Sequence, residues 1–288
     1  MATMLEGGPM ILVFGSSGTV GKEVVKALVE GGEKVRAAHR SRPPATPGVE
    51  GARVDLTTGE GLKSALSGAR AVFLLTGEIA DQTAAEIRAV EAARAAGVER
   101  IVKLSVWGAE EDYSFAHIHR PIERAIESSG IPWTHLRPQG FMQNFLTYYA
   151  EPIRTGGTLR LPCGDARMAD IDVRDIARVA AKALTSVGHE GKAYELTGPE
   201  ALTFTEQTAI LSEHAGKKIT YVSISEDEFR REAVNAGTPE GYVQALAELY
   251  AYYRAGRAER VTSTVREVTG REPIPFAEFA KENASALR

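Results

Sequence analysis

MILVFGSSGTVGKEVVKALVEGG, residues 10–32, joins a strand-length apolar run to a helical pattern through a glycine-rich turn. Its first five residues are continuously apolar and of strand length. A glycine-rich turn follows, and then apolar residues recur at helical spacing until Gly31 and Gly32 stop them. Within the turn, Gly15 permits a tight bend, and Gly18 leaves room for a pyrophosphate where a Cβ would stand. Gly21 lets the helix lie close to the sheet. The helix N-terminus offers unpaired N–H groups and a partial positive charge. Ser17, Thr19 and Val20 complete the segment expected to face the phosphates. The competing reading is an ordinary glycine-rich strand–helix turn, but the strand-before, helix-after context favours a dinucleotide site.

Outward from this segment the alternation continues. KVRAAHR (34–40), GARVDL (51–56), AVFLLTG (71–77), RIVKLS (100–105) and PWTHLRP (132–138) read as strands. Helical patterns fill 59–68, 83–96 and 119–130. Connections this short imply right-handed crossovers and a parallel sheet covered on both faces, an α/β, doubly wound, Rossmann-type fold. Past about Asn144 the rhythm changes. IDVRDIARVAAKALTS (171–186) is a helix with Asp172 as its cap, and KAYELTG (192–198) is a strand. Thr203 and Glu206 have capping-box spacing before a helix ending at Gly216. ITYVSIS (219–225) is a strand, and helices follow over 226–237 and 239–256. The expected division is a dinucleotide-binding domain over 1–145 and a smaller mixed α/β lobe over 146–288, with about 166–190 returning to the first.

Bulk properties bound the function. The 288 residues are 43% hydrophobic and 25% charged, with a formal net charge of −4, which argues against a general nucleic-acid binder. Cys163 is the single cysteine, so no internal disulfide is available. The opening MATMLEGGPM holds no apolar run of signal-peptide length, and no run approaches the ~18 residues of a membrane span. A cytoplasmic protein is expected, without membrane or nucleic-acid partners. His39, His117, His119, His135, His189 and His214 form no zinc-ligand motif, so no metal is expected.

The second strand selects the cofactor. NAD sites usually carry an acidic residue there, whereas this strand ends AAHRSR, with His39, Arg40 and Arg42 and no carboxylate. An arginine can grip an adenosine 2′-phosphate with two parallel charge-assisted hydrogen bonds, so the expected cofactor is NADP(H), with Arg40 the first candidate. The alternative is a pair of solvated loop charges. Asp55 and Leu56 end the third strand, where the carboxylate either meets the adenine edge or merely forms a turn. Leu75, Thr76 and Gly77 end the fourth, on the side of the sheet where open α/β folds bind ligands.

The motifs GSSGTVG, Asp55–Leu56, LLTG, KLSVWG and SSGIPWTHLRPQGFMQNF, then DVRDIA, GKAYELTG and AGTPEGY, resemble the NmrA-like branch of atypical short-chain dehydrogenases over nearly the whole chain. That resemblance implies an NADP(H)-dependent oxidoreductase that passes hydride to a quinone, an azo or triphenylmethane dye, or another electrophilic aromatic. It also admits a regulator that senses NADP(H) without turnover. It implies a C-terminal substrate lobe and a loop over Pro138, Gly140 and Phe141 that passes the nicotinamide. Short-chain dehydrogenases carry a Tyr-x-x-x-Lys pair. Aligned on Glu123, this chain has His119 at the lysine position and Phe115 at the tyrosine position, while Ser105 stays at the family serine position. His119 is then the first candidate for proton donation or hydrogen bonding to the acceptor, and His117 the second. Alternatively, His119 only hydrogen-bonds Glu123 one turn away. Trp107, Phe141, Met142 and Asn144 could frame an apolar cleft or belong to the core, with Tyr148 and Tyr149 close behind in the sequence. Tyr250, Tyr252 and Tyr253 could form the contact of a homodimer. Cys163 has no partner for thiol chemistry in its sequence neighbourhood.

Overall fold

The structure, a computed structural model, describes residues 10–77 and 81–288; the nine residues before Met10, on which the reading against a signal peptide rests, lie outside it. The chain runs β1 (Met10–Val13), α1 (Thr19–Glu30), β2 (Val35–His39), β3 (Glu50–Arg53), α2 (Leu62–Leu66), β4 (Ala69–Leu74) and α3 (Gln82–Ala95). It continues β5 (Arg100–Leu104), α4 (Ser114–Ser128), β6 (Trp133–Pro138), α5 (Ala150–Gly156), β7 (Thr158–Leu161), β8 (Arg167–Met168), α6 (Val173–Thr185) and β9 (Lys192–Leu196). Last come β10 (Leu202–Thr203), α7 (Phe204–Ala215), β11 (Thr220–Ser223), α8 (Glu226–Asn235), α9 (Glu240–Arg254), α10 (Thr264–Thr269) and α11 (Phe276–Asn283).

Seven strands form one sheet in the order β3-β2-β1-β4-β5-β6-β9. The pairs from β3 across to β6 are parallel, with Ile11 opposite Val35 and Val13 opposite Phe73. Ile11, Leu12 and Val13 are wholly buried, as a central parallel strand covered on both faces requires. The strand order reverses at β1 and β4, the place where such sheets open a crevice at their carboxyl ends. Helix α1 buries Val20, Val24, Val25 and Leu28, each contributing roughly 1.5–3 kcal/mol. It ends where Gly32 takes φ +82°, a left-handed stop that glycine adopts freely.

The chain divides into two compact units. Among the described residues, the first comprises 10–77, 81–105, 118–137 and 176–194; the second comprises 106–117, 138–175 and 195–288. Residues 106–117 and 138–145, read from the sequence with the first domain, therefore lie in the second unit. The core of the first unit includes Leu12, Phe14, Leu66, Val72, Leu74, Ile101, Ile122 and Ile126. The second unit holds a parallel pair, β7 with β11, and an antiparallel pair, β8 with β10. Thr203 and Glu206 make the expected capping box on α7. No helix among the described residues is long and apolar enough to cross a membrane.

Candidate active site

The three glycines after β1 turn out to have three different structural reasons. Gly15 sits at φ +65°, and a Cβ there would lie 2.8 Å from the Leu75 carbonyl oxygen, so only glycine fits. At Gly21 an added Cβ would run into the Gly15 carbonyl, with the Gly15 carbon 2.6 Å away. The first turn of α1 thus rests on the loop backbone, a nearer neighbour than the sheet the sequence suggested. Gly18 differs: its backbone is extended, at φ −80° and ψ 175°, and an added Cβ would meet only the Gly15 oxygen at 3.3 Å. The protein itself barely needs glycine there, so the space it leaves is free for a ligand.

Gly18 donates to the Gly15 carbonyl at 3.0 Å, and Ser16 Oγ donates to the Ala38 carbonyl at 2.7 Å, tying the loop to β2. Ser17, Gly18 and Thr19 are exposed, while Val20 and Gly21 are buried and can offer only backbone N–H groups. No side chain caps α1 and its first turn has no acidic residue, leaving its N–H groups and positive end to an anion.

At the ends of β2 and β3, Arg40, Arg53, Val54, Asp55, Glu60 and Gly61 line a cavity of about 170 Å³. Arg53 escaped the sequence reading, which looked only at the second strand. Its register partner is His39, the last residue of β2, and this cross-strand pairing sets it beside Arg40. Asp55 acts as a turn former: its Oδ1 accepts from the Thr57 N–H at 2.8 Å. Arg88 on α3 holds the same turn, donating to the Leu56 and Thr57 carbonyls at 2.7 and 2.8 Å. Leu56 is half-buried against the core of the first unit. Leu75 packs over Gly15, and Gly77 is exposed with nothing near its missing Cβ. Thr76 is buried and donates from Oγ1 to Glu86 Oε1 at 2.9 Å, so its side chain is already engaged.

Glu86 leads to a cluster the sequence reading missed. Lys103 on β5 and Glu86 on α3 form a fully buried ion pair at 2.9 Å. Gln82 Nε2 also donates to Glu86, at 2.8 Å. Lys103 Nζ reaches the Leu104 carbonyl and lies 3.4 Å from Nδ1 of His119 on α4. Burial, and then the Lys103 charge, hold His119 well below the ordinary histidine range, so the ring is neutral. The alternative pairing of His119 with Glu123 is not realised. Glu123 instead takes Arg137 in a two-pronged contact, 2.9 and 2.8 Å, and Arg120 at 3.1 Å. Burial alone would raise the Glu123 carboxyl, but the two hydrogen bonds from Arg137 and the guanidinium charge bring it below the usual range. Ser105 is buried beside this cluster.

Glu123, Glu127 and His135 lie close enough to hold a cation, yet Arg120 contacts Glu127 at 2.5 Å and both carboxylates are already neutralised by guanidinium groups. His135 is buried and stacked on Trp133 at 4.2 Å, and burial lowers it to about 4.

In the second unit, Trp107 donates from its backbone N–H to the Pro138 carbonyl at 3.0 Å, and Ile171 to that of Gly140 at 2.8 Å. Gly140 lacks a Cβ because Asp170 stands where it would go, with Cγ 3.4 Å away. Phe141 bridges Ile171 and is half-exposed. Trp107 and Met142 belong to the buried core of this unit, which removes them from the expected cleft. Tyr250, Tyr252 and Tyr253 are buried in the same core, so they form no surface for a second subunit. Tyr148 is exposed and Tyr149 half-buried, and the Asn144 carbonyl accepts from the Thr147 and Tyr149 N–H groups. Cys163 is buried, and burial raises its thiol far above the ordinary value, which disfavours the nucleophilic thiolate. His117 is exposed, with Nε2 2.8 Å from Asp112, and two positions along a helix from His119 it points to a different side.

Burial raises Asp170 to about 6, against the hydrogen bond from Gln207 at 2.7 Å. The folded state therefore keeps its proton to higher pH than the unfolded chain, and stability is lost as pH rises from about 4 through 6. Asp170→Asn is expected to stabilise by up to about 3 kcal/mol above pH 6.5 and by little below pH 4. Thermal melts of both proteins across that range check it; a gain independent of pH would contradict a protonated Asp170.

The profile of the NmrA-like family matches residues 9–280. The chain is 40% identical over 285 residues to the NAD(P)H azoreductase of Xenophilus azovorans, covering 96% of this chain and 99% of that one. It is 39% identical over 286 residues to a (4-alkanoyl-5-oxo-2,5-dihydrofuran-3-yl)methyl phosphate reductase of Streptomyces griseus, again covering 96% and 99%. Among solved structures, the NADPH-dependent quinone oxidoreductase of Escherichia coli complexed with NADPH superposes with a TM-score of 0.85 at 28% identity, covering 95% of this chain and 99% of that one.

Proposed function

The chain belongs to the NmrA-like family, and from that premise we propose that it is an NADPH-dependent reductase that passes hydride to a quinone or a related electron-poor conjugated acceptor. The amides of the Gly15–Gly21 loop would hold the pyrophosphate, and Arg40 with Arg53 the 2′-phosphate. Bound there, NADPH supplies the hydride. The observation that carries the reading is His119: a neutral ring whose Nδ1 faces an ammonium and whose Nε2 has no partner among the described residues. Lysine has only donors, so Nδ1 must accept and Nε2 must bear the hydrogen. His119 then donates from Nε2 to the oxygen on which negative charge develops as hydride arrives.

An acceptor of this class needs little further help. Its centre is already electrophilic, so orientation supplies much of the rate without a Tyr-x-x-x-Lys pair. The relatives' names fit a common chemistry, since an azo group, a quinone and an oxo-dihydrofuran with an acyl substituent are all unsaturated and electron-poor.

The cofactor part is tested by binding. Arg40→Glu is expected to weaken NADPH by ten- to a hundredfold, through loss of a charged hydrogen-bonded contact worth about 1.5–3 kcal/mol, and to leave NADH within a factor of about two. Arg53→Glu should act in the same direction. Fluorescence titration of reduced nicotinamide reads both, and equal loss for NADPH and NADH would remove these arginines from a phosphate site.

A further inference from the structure

The buried pair behind His119 has a structural cost that packing alone does not explain. Burying Lys103 and Glu86 requires both to be desolvated, and neutral residues of similar shape would serve the core as well or better. Glu86 is fixed by Thr76 and Gln82, from the end of β4 and from its own helix, and it in turn holds Lys103. Lys103 uses its remaining reach on the Leu104 carbonyl and on His119. Among the described residues, the titratable groups set against Lys103 are Glu86 from α3, His119 from α4, and His135, its register partner on β6. Glu123, one turn beyond His119, is occupied by Arg137 and Arg120.

We propose that Lys103, anchored by Glu86, is a positioning residue that donates to Nδ1 of His119 and so fixes His119 as a hydrogen-bond donor from Nε2 toward the hydride acceptor. This rests on the reductase reading above. A positive group bonded to Nδ1 does three things together. It forbids the tautomer with hydrogen on Nδ1, it opposes protonation of the ring, and it polarises the Nε2–H bond toward the substrate. In the reaction, the acceptor would take the hydride released as a C–H bond of the reduced nicotinamide breaks, the acceptor's own electron pair would move to its oxygen, and Nε2–H hydrogen-bonds that oxygen while keeping its proton. The proton that completes the reduced product comes from water.

The test uses the full chain and the double variant Lys103→Met with Glu86→Gln, which removes both charges at once and lets the new amide oxygen keep the bonds from Thr76 and Gln82. The first readout needs no turnover. In ¹⁵N NMR of the free wild-type protein, His119 should show hydrogen on Nε2 alone and no titration between pH 5 and 8. Hydrogen on Nδ1, or titration in the ordinary histidine range, overturns the proposal even if the variant does not fold. In the double variant His119 should titrate within that window. The second readout is the pH profile of NADPH oxidation with a simple quinone. Wild-type kcat should be flat from pH 5.5 to 8. The variant should lose about tenfold at pH 8 and recover as pH falls, because a protonated ring again donates from Nε2, with KM for NADPH unchanged. A variant with wild-type kcat and a flat profile would make the pair structural only. A wild-type protein that oxidises no NADPH would instead sink the reductase reading, while the NMR result would still decide the role of Lys103.

Discussion

Gly18→Val is expected to abolish dinucleotide binding and to leave the fold intact, whereas Gly21→Val, three residues on, should prevent folding. The contrast follows from what each new side chain would meet. At Gly18 the backbone is extended and suits valine, and the nearest protein atom to a new Cβ is the Gly15 oxygen at 3.3 Å. The added methyls would project over the N-terminus of α1, where the proposed placement of the cofactor would give its phosphates the N–H groups of Thr19 and Val20. At Gly21 the new Cβ would overlap the Gly15 carbonyl, and Ser16 Cα would be 2.9 Å away. Relief requires moving α1 off the loop, which would expose Val24 and Leu28. Overpacking against backbone costs more than the 1–3 kcal/mol usual for a flexible neighbour. Circular dichroism and thermal melts report the fold, and titration with NADPH reports binding. Gly18→Val binding NADPH within threefold of wild type would mean that no phosphate lies against this loop.

The second large effect concerns His119. His119→Phe keeps the ring volume and removes the Nε2 donor, so kcat with a quinone should fall by about 10²–10³, the usual loss of one donor to a developing oxyanion. The Kd for NADPH should stay within a factor of about two. Loss of NADPH affinity with unchanged kcat would reassign His119 to cofactor binding. The same substitution at His117, which is exposed and paired with Asp112, should change neither quantity.

Much of this arrangement was legible from local chemistry. The apolar run at β1, the glycine spacing after it and the capping box at Thr203 are short-range signals, and each appears where it was read. Asp55 posed two readings, and the Thr57 and Thr58 N–H groups at its Oδ1 make it a turn former. What local reading could not reach depends on pairing between distant segments. Arg53 enters the arginine pair only because β3 aligns it with His39. Lys103 was visible as one charge inside the apolar strand RIVKLS, a signal worth pursuing, but its partners Glu86 and His119 are supplied by helices on either side in sequence. The same limit left Trp107, Met142 and the three tyrosines open between a core and an exposed role. An aromatic at helical spacing looks alike whether it faces a ligand or a core, and only the packing of the second unit shows that these face inward. The stretch from Tyr149 to Met168, with α5, β7 and β8, carried no periodicity long enough to be read.

NADPH-dependent quinone reduction is tested by the absorbance of reduced nicotinamide, followed with purified protein while a simple quinone is added to NADPH and, separately, to NADH. Quinone-dependent loss of NADPH absorbance is expected, with kcat/KM at least tenfold higher for NADPH than for NADH. Tight NADPH binding without any loss of absorbance across quinones, azo dyes and other conjugated acceptors would contradict it.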